Sequence, residues 1–376
     1  MMAAGAPAPL AAGVTHAAPH VRDGLDLRAA VRCLLWAVAP CALVGVANAG
    51  YQALAAADLH GIDELPAWQL GALEALGLEP WPESAAACAA VGLMRAVPIL
   101  AVAAGVGWAW SRLFARVRGR SASEALPAVV VLFALMLPPA LPLWQVAIGI
   151  SFAVVLGLEV FGGTGRNVVH PALVGLALLY FAYPASFSGE GVWVGLPGVE
   201  APPVLSAVAA GGLDAVAEAE ITWLDTFLGR EPGALGETSV LACLAGAALL
   251  LYAGLASWRI LAGGVLGLAA AAVLVNGFAD PARPEVGLPV HWHLTAGGFA
   301  FGLVFVATDP VTSAGTAAGR WAYGVLIGFL VVLVRVFNPA HSEGVMMAVL
   351  LANVTAPLLD HAVVRVHGLR HRRRRG

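Results

Sequence analysis

The sequence predicts an all-α polytopic integral membrane protein of about ten transmembrane helices, with both termini cytoplasmic. Three observations carry this. Of 376 residues, 60% are hydrophobic and 11% are charged, whereas soluble domains carry roughly 25% charged residues. That balance, with a mean hydropathy of +0.84, excludes a soluble enzyme and, apart from the ends, a disordered chain. Next, apolar runs recur at about 31–51, 87–111, 126–141, 143–160, 168–184, 239–256, 259–278, 293–308, 321–337 and 344–363. A span needs about 20 apolar residues to cross a ~30 Å hydrocarbon core. Finally, an even number of spans places both ends on one side, and the arginines choose the side. All twenty basic residues are arginine. Arg22, Arg28, Arg32, Arg112, Arg116, Arg118, Arg120, Arg166, Arg259, Arg320, Arg365, Arg370 and Arg372 to Arg375 share one face, against Arg230 and Arg283 on the other. Sixteen against two orients the chain by the positive-inside rule. Arg95 and Arg335 fall inside or at the rim of spans.

Residues 1–30 form a cytoplasmic lead rich in Ala, Pro and Gly, without the basic n-region of a cleaved signal. Residues 31–363 form the membrane domain, and 364–376 a basic tail. Two long loops lie outside. Residues 52–86 carry six acids and no arginine; residues 185–238 carry eight acids and one arginine. The second is longer than a simple connection requires, so it docks a partner or holds a ligand. The Arg372 to Arg375 run beside the last span suits anionic lipid and gives no reason to invoke nucleic acid. Cys33, Cys41, Cys88 and Cys243 form no C-x-x-C pair and read as small buried hydrophobes. His291-x-His293 is the only close histidine pair, too little for a metal centre.

An internal echo runs from Pro138 to Asn167 and again from Pro289 to Pro310, with Gly319-Arg320-Trp321 after it. Each copy has prolines and a tryptophan, then a span, then a Gly/Thr/Pro break. The copies fall on spans four and eight, which two five-helix halves would not make equivalent.

Chemistry concentrates at the breaks. In Glu159-Val160-Phe161-Gly162-Gly163-Thr164-Gly165-Arg166-Asn167, glycines let backbone amides approach a ligand, successive N–H groups bind anions, and Arg166 adds a positive charge. The competing reading is a tight interhelical turn. Thr308-Asp309-Pro310-Val311-Thr312-Ser313 either coordinates a cation through oxygen or caps a following helix. Glu159, Asp309 and Asp360 are the candidates for an ion path, because ionisable groups at membrane depth are costly and often line one; snorkelling to the interface is the plainer account of Glu159 and Asp360. No catalytic residue can be singled out.

Several longer stretches carry a resemblance. These are His20-Val21-Arg22-Asp23, Asn48-Ala49-Gly50, Pro138 to Gln145, Glu159 to Asn167, Phe181-Ala182-Tyr183-Pro184, Ala256-Ser257-Trp258-Arg259-Ile260, Ala307-Thr308-Asp309-Pro310 and Val336-Phe337-Asn338-Pro339-Ala340. Over nearly its whole length the chain resembles the B subunit of the bacterial Na+-translocating NADH:quinone reductases. The D subunit of the Rnf-type electron-transport complexes is a close relative. His20–Asp23 and the second long loop lean toward the first branch.

The resemblance implies a multi-pass member of a six-subunit complex in the bacterial inner membrane, where electrons pass from NADH through flavins to quinone and drive Na+ movement. It implies FMN held by a threonine on the outer loop and riboflavin near the cytoplasmic side; Gly162, Gly163, Thr164, Gly165, Arg166 and Asn167 are the candidates for a flavin vestibule, and Trp193 is a candidate to stack on an outer flavin. The chain departs from the family pattern at the acceptor. Counted without gaps from Trp193 to Gly211-Gly212, the Ser-Gly-Ala-Thr stretch falls on Glu200-Ala201-Pro202-Pro203. Proline has no hydroxyl, so no phosphoester forms at Pro203. Ser206 lacks the motif, and Thr238 sits in a helix start. In the quinone region the family's Gly-Gly-Phe-Trp-Glu is Gly107-Trp108-Ala109-Trp110-Ser111 here, and the asparagine expected before Pro171 is His170. A channel, or a scaffold that has lost its covalent flavin, is the alternative; flavin content separates these readings.

Overall fold

The computed structural model describes residues 26–61, 65–188, 191–196, 199, 202–280, 283–338 and 343–375. His20–Asp23, Glu200, Ala201, Pro339 and Ala340, named above, lie outside them, as does most of the 1–30 lead.

Each predicted span is helical, and the described residues contain no strand. Helix α1 (Leu27–His60) starts at Asp26, whose carboxylate accepts from Ala29 N at 2.6 Å. The short α2 (Ala67–Ala75) lies within the first long loop. Helix α3 (Ala85–Arg118) is capped by Ser84 and closed by Gly119 in the left-handed region. At 34 residues each, α1 and α3 reach about 51 Å at 1.5 Å per residue. They therefore project beyond the hydrocarbon core. Then come α4 (Leu126–Leu135), α5 (Leu143–Phe152) continued by a π-helix over Ala153–Glu159, α6 (Pro171–Ala182) and α7 (Ala185–Ser188). The second long loop holds α8 (Val204–Glu218), broken at Gly211-Gly212, and α9 (Trp223–Leu228), which begins with a Thr222/Asp225 capping box. Helices α10 (Val240–Tyr252) and α11 (Trp258–Asn276) follow. Span eight is α12 (Val290–Thr295) and α13 (Phe299–Phe301), the latter continued by a π-helix over Gly302–Val306. Helices α14 (Ala317–Phe337) and α15 (Val345–Arg375) complete the chain.

The structure refines the sequence expectation in three places. Span eight is not continuous. Ala296 is extended and Gly297 has φ +69°, because a Gly-Gly pair weakens the helix and permits the left-handed turn. Span three is helical only to Leu135, since Pro138 and Pro139 block continuation. Its terminal carbonyls are then met by the second long loop, which folds back into the bundle. Gly236 N donates to Leu135 O at 2.8 Å, and Leu235 N to Leu137 O at 3.1 Å. Within lipid such pairing is required, because no water is there to satisfy broken backbone. The basic tail is helical through Arg375 as part of α15.

Glycine brings the long helices together. A Cβ at Gly50 would overlap the Cys88 carbonyl, and one at Gly92 the Val46 carbonyl, so α1 and α3 touch backbone to backbone. Gly267 and Gly328 do the same between α11 and α14. Without a hydrophobic drive between helices in lipid, close approach of small residues supplies the packing. Both copies of the internal echo end in a π-helix, Ala153–Glu159 and Gly302–Val306.

Candidate functional site

At the arginine-rich end the two breaks converge on one cavity of about 820 Å³, counted to its open mouth. The Gly162–Asn167 break contributes Thr164 and Asn167, and the second break contributes Thr308 and Asp309. His170 and Phe305 also line it. The first break is glycine-built for geometric cause: Gly162, Gly163 and Gly165 have φ of 111°, 94° and 87°, which side chains with a Cβ rarely adopt. In the second, Asp309 accepts from Thr312 Oγ1 at 2.9 Å and Val311 N at 3.4 Å. Asp309 thus closes its own turn, and the next helix begins only at Ala317. Thr308 Oγ1 donates to Val304 O at 2.6 Å, inside the π-helix.

A buried polar hub fixes this cavity. Asn353 on α15 accepts from His170 N at 3.0 Å. It donates to Tyr323 Oη at 2.7 Å and Thr312 O at 3.3 Å. One side chain thereby joins the start of α6, the 309–313 turn and α14. His170 is buried, and its Nδ1 has no protein partner. A buried polar atom left unpaired is costly, and among the described residues His170 is the one lining this cavity that carries such an atom.

The remaining sequence candidates scatter. Arg166 is exposed and folds over Gly162. Glu159 is buried, paired with Arg118 at 3.2 Å, and accepts from Ser111 Oγ at 3.5 Å. It borders a neighbouring groove with Arg118, Arg120, Ser123 and Thr164. Asp360 accepts from Gly315 N, Thr316 N and Thr316 Oγ1 at 2.7, 2.9 and 2.5 Å. Its carboxylate therefore caps α14 from the neighbouring helix. Gly107 packs on Leu126, Val130 and Ile150. Trp108 is exposed under Arg112, and Trp110 Nε1 donates to Ser151 Oγ at 2.9 Å.

Trp193 lies at the other end of the bundle. It is buried in a second cavity of about 610 Å³ with Tyr180, Glu237, Gly298 and Glu343. Arg95 holds the loop beside it, donating to the carbonyls of Val194 and Gly195. Pro203 precedes the first turn of α8. A groove of about 1290 Å³ borders Pro202, with Tyr51, His60 and Arg230 among its walls. Cys41 and Cys243 meet with sulfurs 3.7 Å apart, both buried. Among the described residues no group of three His, Cys, Asp or Glu side chains converges as a metal chelate.

Sequence reasoning missed the Asn353 hub and a set of carboxylates at the span-eight break: Glu231, Glu237 and Glu343. Asn353 reads as one polar residue in an apolar run. The Gly297-Gly298 pair inside span eight was the available signal for the other.

The sequence model of the NQR2, RnfD, RnfE family matches residues 14–367. The B subunit of the Na(+)-translocating NADH-quinone reductase of Azotobacter vinelandii is 46% identical over 359 residues, covering 95% of this chain and 89% of the relative. The B subunit of Pseudomonas aeruginosa (strain LESB58) is 45% identical over 366 residues, with 96% and 90% covered. That of Chromohalobacter salexigens is 45% identical over 362 residues, with 96% and 87% covered.

Proposed function

The chain belongs to the NQR2, RnfD, RnfE family, and from that premise we propose that it is the B-type membrane subunit of a redox-driven pump. The pump couples NADH oxidation and quinone reduction to Na+ translocation. Identity of 46% across nearly the full chain carries the assignment to this branch. The chain is multi-pass, and as one subunit of a complex it works with other chains. In this reading it sits in the bacterial inner membrane in a six-subunit assembly, with quinone and lipid as further partners and its arginine-rich end in the cytoplasm.

The cavity at that end suits riboflavin. Its wall is mainly apolar, with a few polar side chains at the two breaks, the composition of a small-molecule site. Asn167, His170, Thr308 and Asp309 would hold the polar edges, and the apolar wall including Phe305 would cover the ring. Bound there, the flavin supplies one-electron transfer. The protein keeps the site oriented through Asn353 and keeps Asp309 folded into its own turn. Asn167 donates to Val169 O at 3.4 Å, a long bond easily exchanged for one to a ligand.

Covalent FMN does not fit. The phosphoester needs a hydroxyl, and the expected position is Pro203, fixed at φ −56° ahead of α8. No electron step is assigned through a tethered flavin on this chain.

Co-expression with partner subunits and a flavin transferase tests both points. The denatured chain should be dark in-gel, while acid precipitation of the native complex releases riboflavin, reduced in Asn167→Ala and Asp309→Ala. A fluorescent denatured band would overturn the first point, and unchanged riboflavin in both variants the second. A complex without any flavin would favour a channel or scaffold instead.

A further inference from the structure

Span eight breaks at Ala296-Gly297-Gly298, and three carboxylates gather there from distant parts of the chain. Gly298 N donates to Glu343 Oε2 at 2.8 Å, and Gly297 N to Glu231 Oε1 at 3.3 Å. Glu237 lies so close to Gly298 that a Cβ there would overlap its carboxylate. A Cβ on Gly297 would sit 2.7 Å from Glu343 Oε1. The glycines are thus needed twice, for the turn and for the room the carboxylates occupy. Glu231 is 2% exposed, and its Oε2 has no partner.

The charges at the break do not balance. Arg335 is the cation at the break, and it is buried. Its guanidinium donates to three carbonyls: His293 O at 2.6 Å, Ala296 O at 2.9 Å and Glu343 O at 3.4 Å. None of the ion pairs among the described residues joins it to a carboxylate. Were all three carboxylates ionised, the one guanidinium would leave two negative charges in excess. Unpaired charge in a low-dielectric interior is strongly disfavoured.

We propose that the Ala296–Gly298 break binds one partly dehydrated monovalent alkali cation, with Glu237 and Glu343 supplying ligand oxygens and Glu231 the adjoining negative charge. One cation together with one proton on the cluster neutralises the excess. Hard cations take oxygen ligands, and unwound helices at membrane depth offer them in carbonyls as well as side chains. The described side chains do not by themselves close into a chelate, so water and backbone carbonyls would complete the coordination. The second cavity, bordered by Glu237, Gly298 and Glu343, gives it room to approach. This goes beyond the flavin reading and stands apart from it: Na+ binding at equilibrium needs no electron transfer.

The experiment uses the purified intact complex without NADH. Binding of radioactive sodium is measured at equilibrium, with lithium and choline as competitors. Glu237→Gln and Glu343→Gln should each weaken Na+ binding by no less than the about ten- to a hundredfold that loss of an outer-shell partner costs, while Glu343→Asp should fall between these and the parent. Wild-type Na+ affinity in an assembled Glu237→Gln/Glu343→Gln double variant would overturn the proposal and leave the cluster neutralised by protons alone. A second measurement needs no variant. A hydrophobic carbodiimide reacts with protonated carboxylates, and peptide mass spectrometry locates the adduct. Na+, but not choline, should suppress labelling of Glu237 and Glu343; equal labelling with both would overturn the assignment.

Discussion

Replacing Asn353 by leucine tests whether the arginine-end cavity is held by one polar hub. The change keeps the branched outline of the side chain while adding bulk, and it removes three hydrogen bonds at a side chain that is 1% exposed. His170 N loses an acceptor at 3.0 Å and Tyr323 Oη a donor at 2.7 Å, while the contact to Thr312 O at 3.3 Å is the weakest. A buried polar group left without a partner costs about 1–3 kcal/mol. Counting only the two shorter bonds, Asn353→Leu should destabilise the protein by about 2–6 kcal/mol. The same substitution frees the start of α6 from the 309–313 turn, so the cavity should also lose its occupant. Thermal unfolding of the purified complex reads the first effect, and acid-released riboflavin per complex the second. A variant within about 0.5 kcal/mol of the parent, the range of an ordinary surface change, with full flavin, would refute the hub.

Gly92→Ala drives a methyl into the Val46 carbonyl and should cost about 1–3 kcal/mol through overpacking, read as a lower unfolding temperature with α1 and α3 forced apart. Ser111→Glu places a second carboxylate beside Glu159. Because Arg118 is already paired there, the added buried charge should cost about 3–5 kcal/mol and deplete assembled complex on native gels, whereas Ser111→Ala should assemble. Arg95→Met removes the donors to Val194 and Gly195; limited proteolysis should then cut the 185–238 loop faster than in the parent, with riboflavin unchanged.

The ten apolar segments were legible because lipid imposes a composition that few other constraints imitate. The helix breaks were legible only in part. Pro138-Pro139 marks the end of α4, whereas Gly297-Gly298 permits a left-handed turn in span eight without requiring one. Gly162–Asn167 and Thr308–Asp309 each stood out alone. Their meeting in one cavity depends on packing between distant helices, which no local pattern encodes. Asp360 reads as a membrane carboxylate, yet it caps α14 with three hydrogen bonds. Trp193 reads as part of the outer loop, and the fold buries it against Glu237 and Glu343. Those carboxylates lie more than a hundred residues apart in sequence, and only the return of the second long loop into the bundle unites them.

The central claim is that this chain serves a pump that spends electron flow on sodium movement. Inverted membrane vesicles containing the complete complex, with this chain as the B subunit, should accumulate radioactive sodium on addition of NADH and quinone. A protonophore should not abolish uptake, and omission of this chain should. Quinone reduction at full rate without sodium uptake would contradict the account.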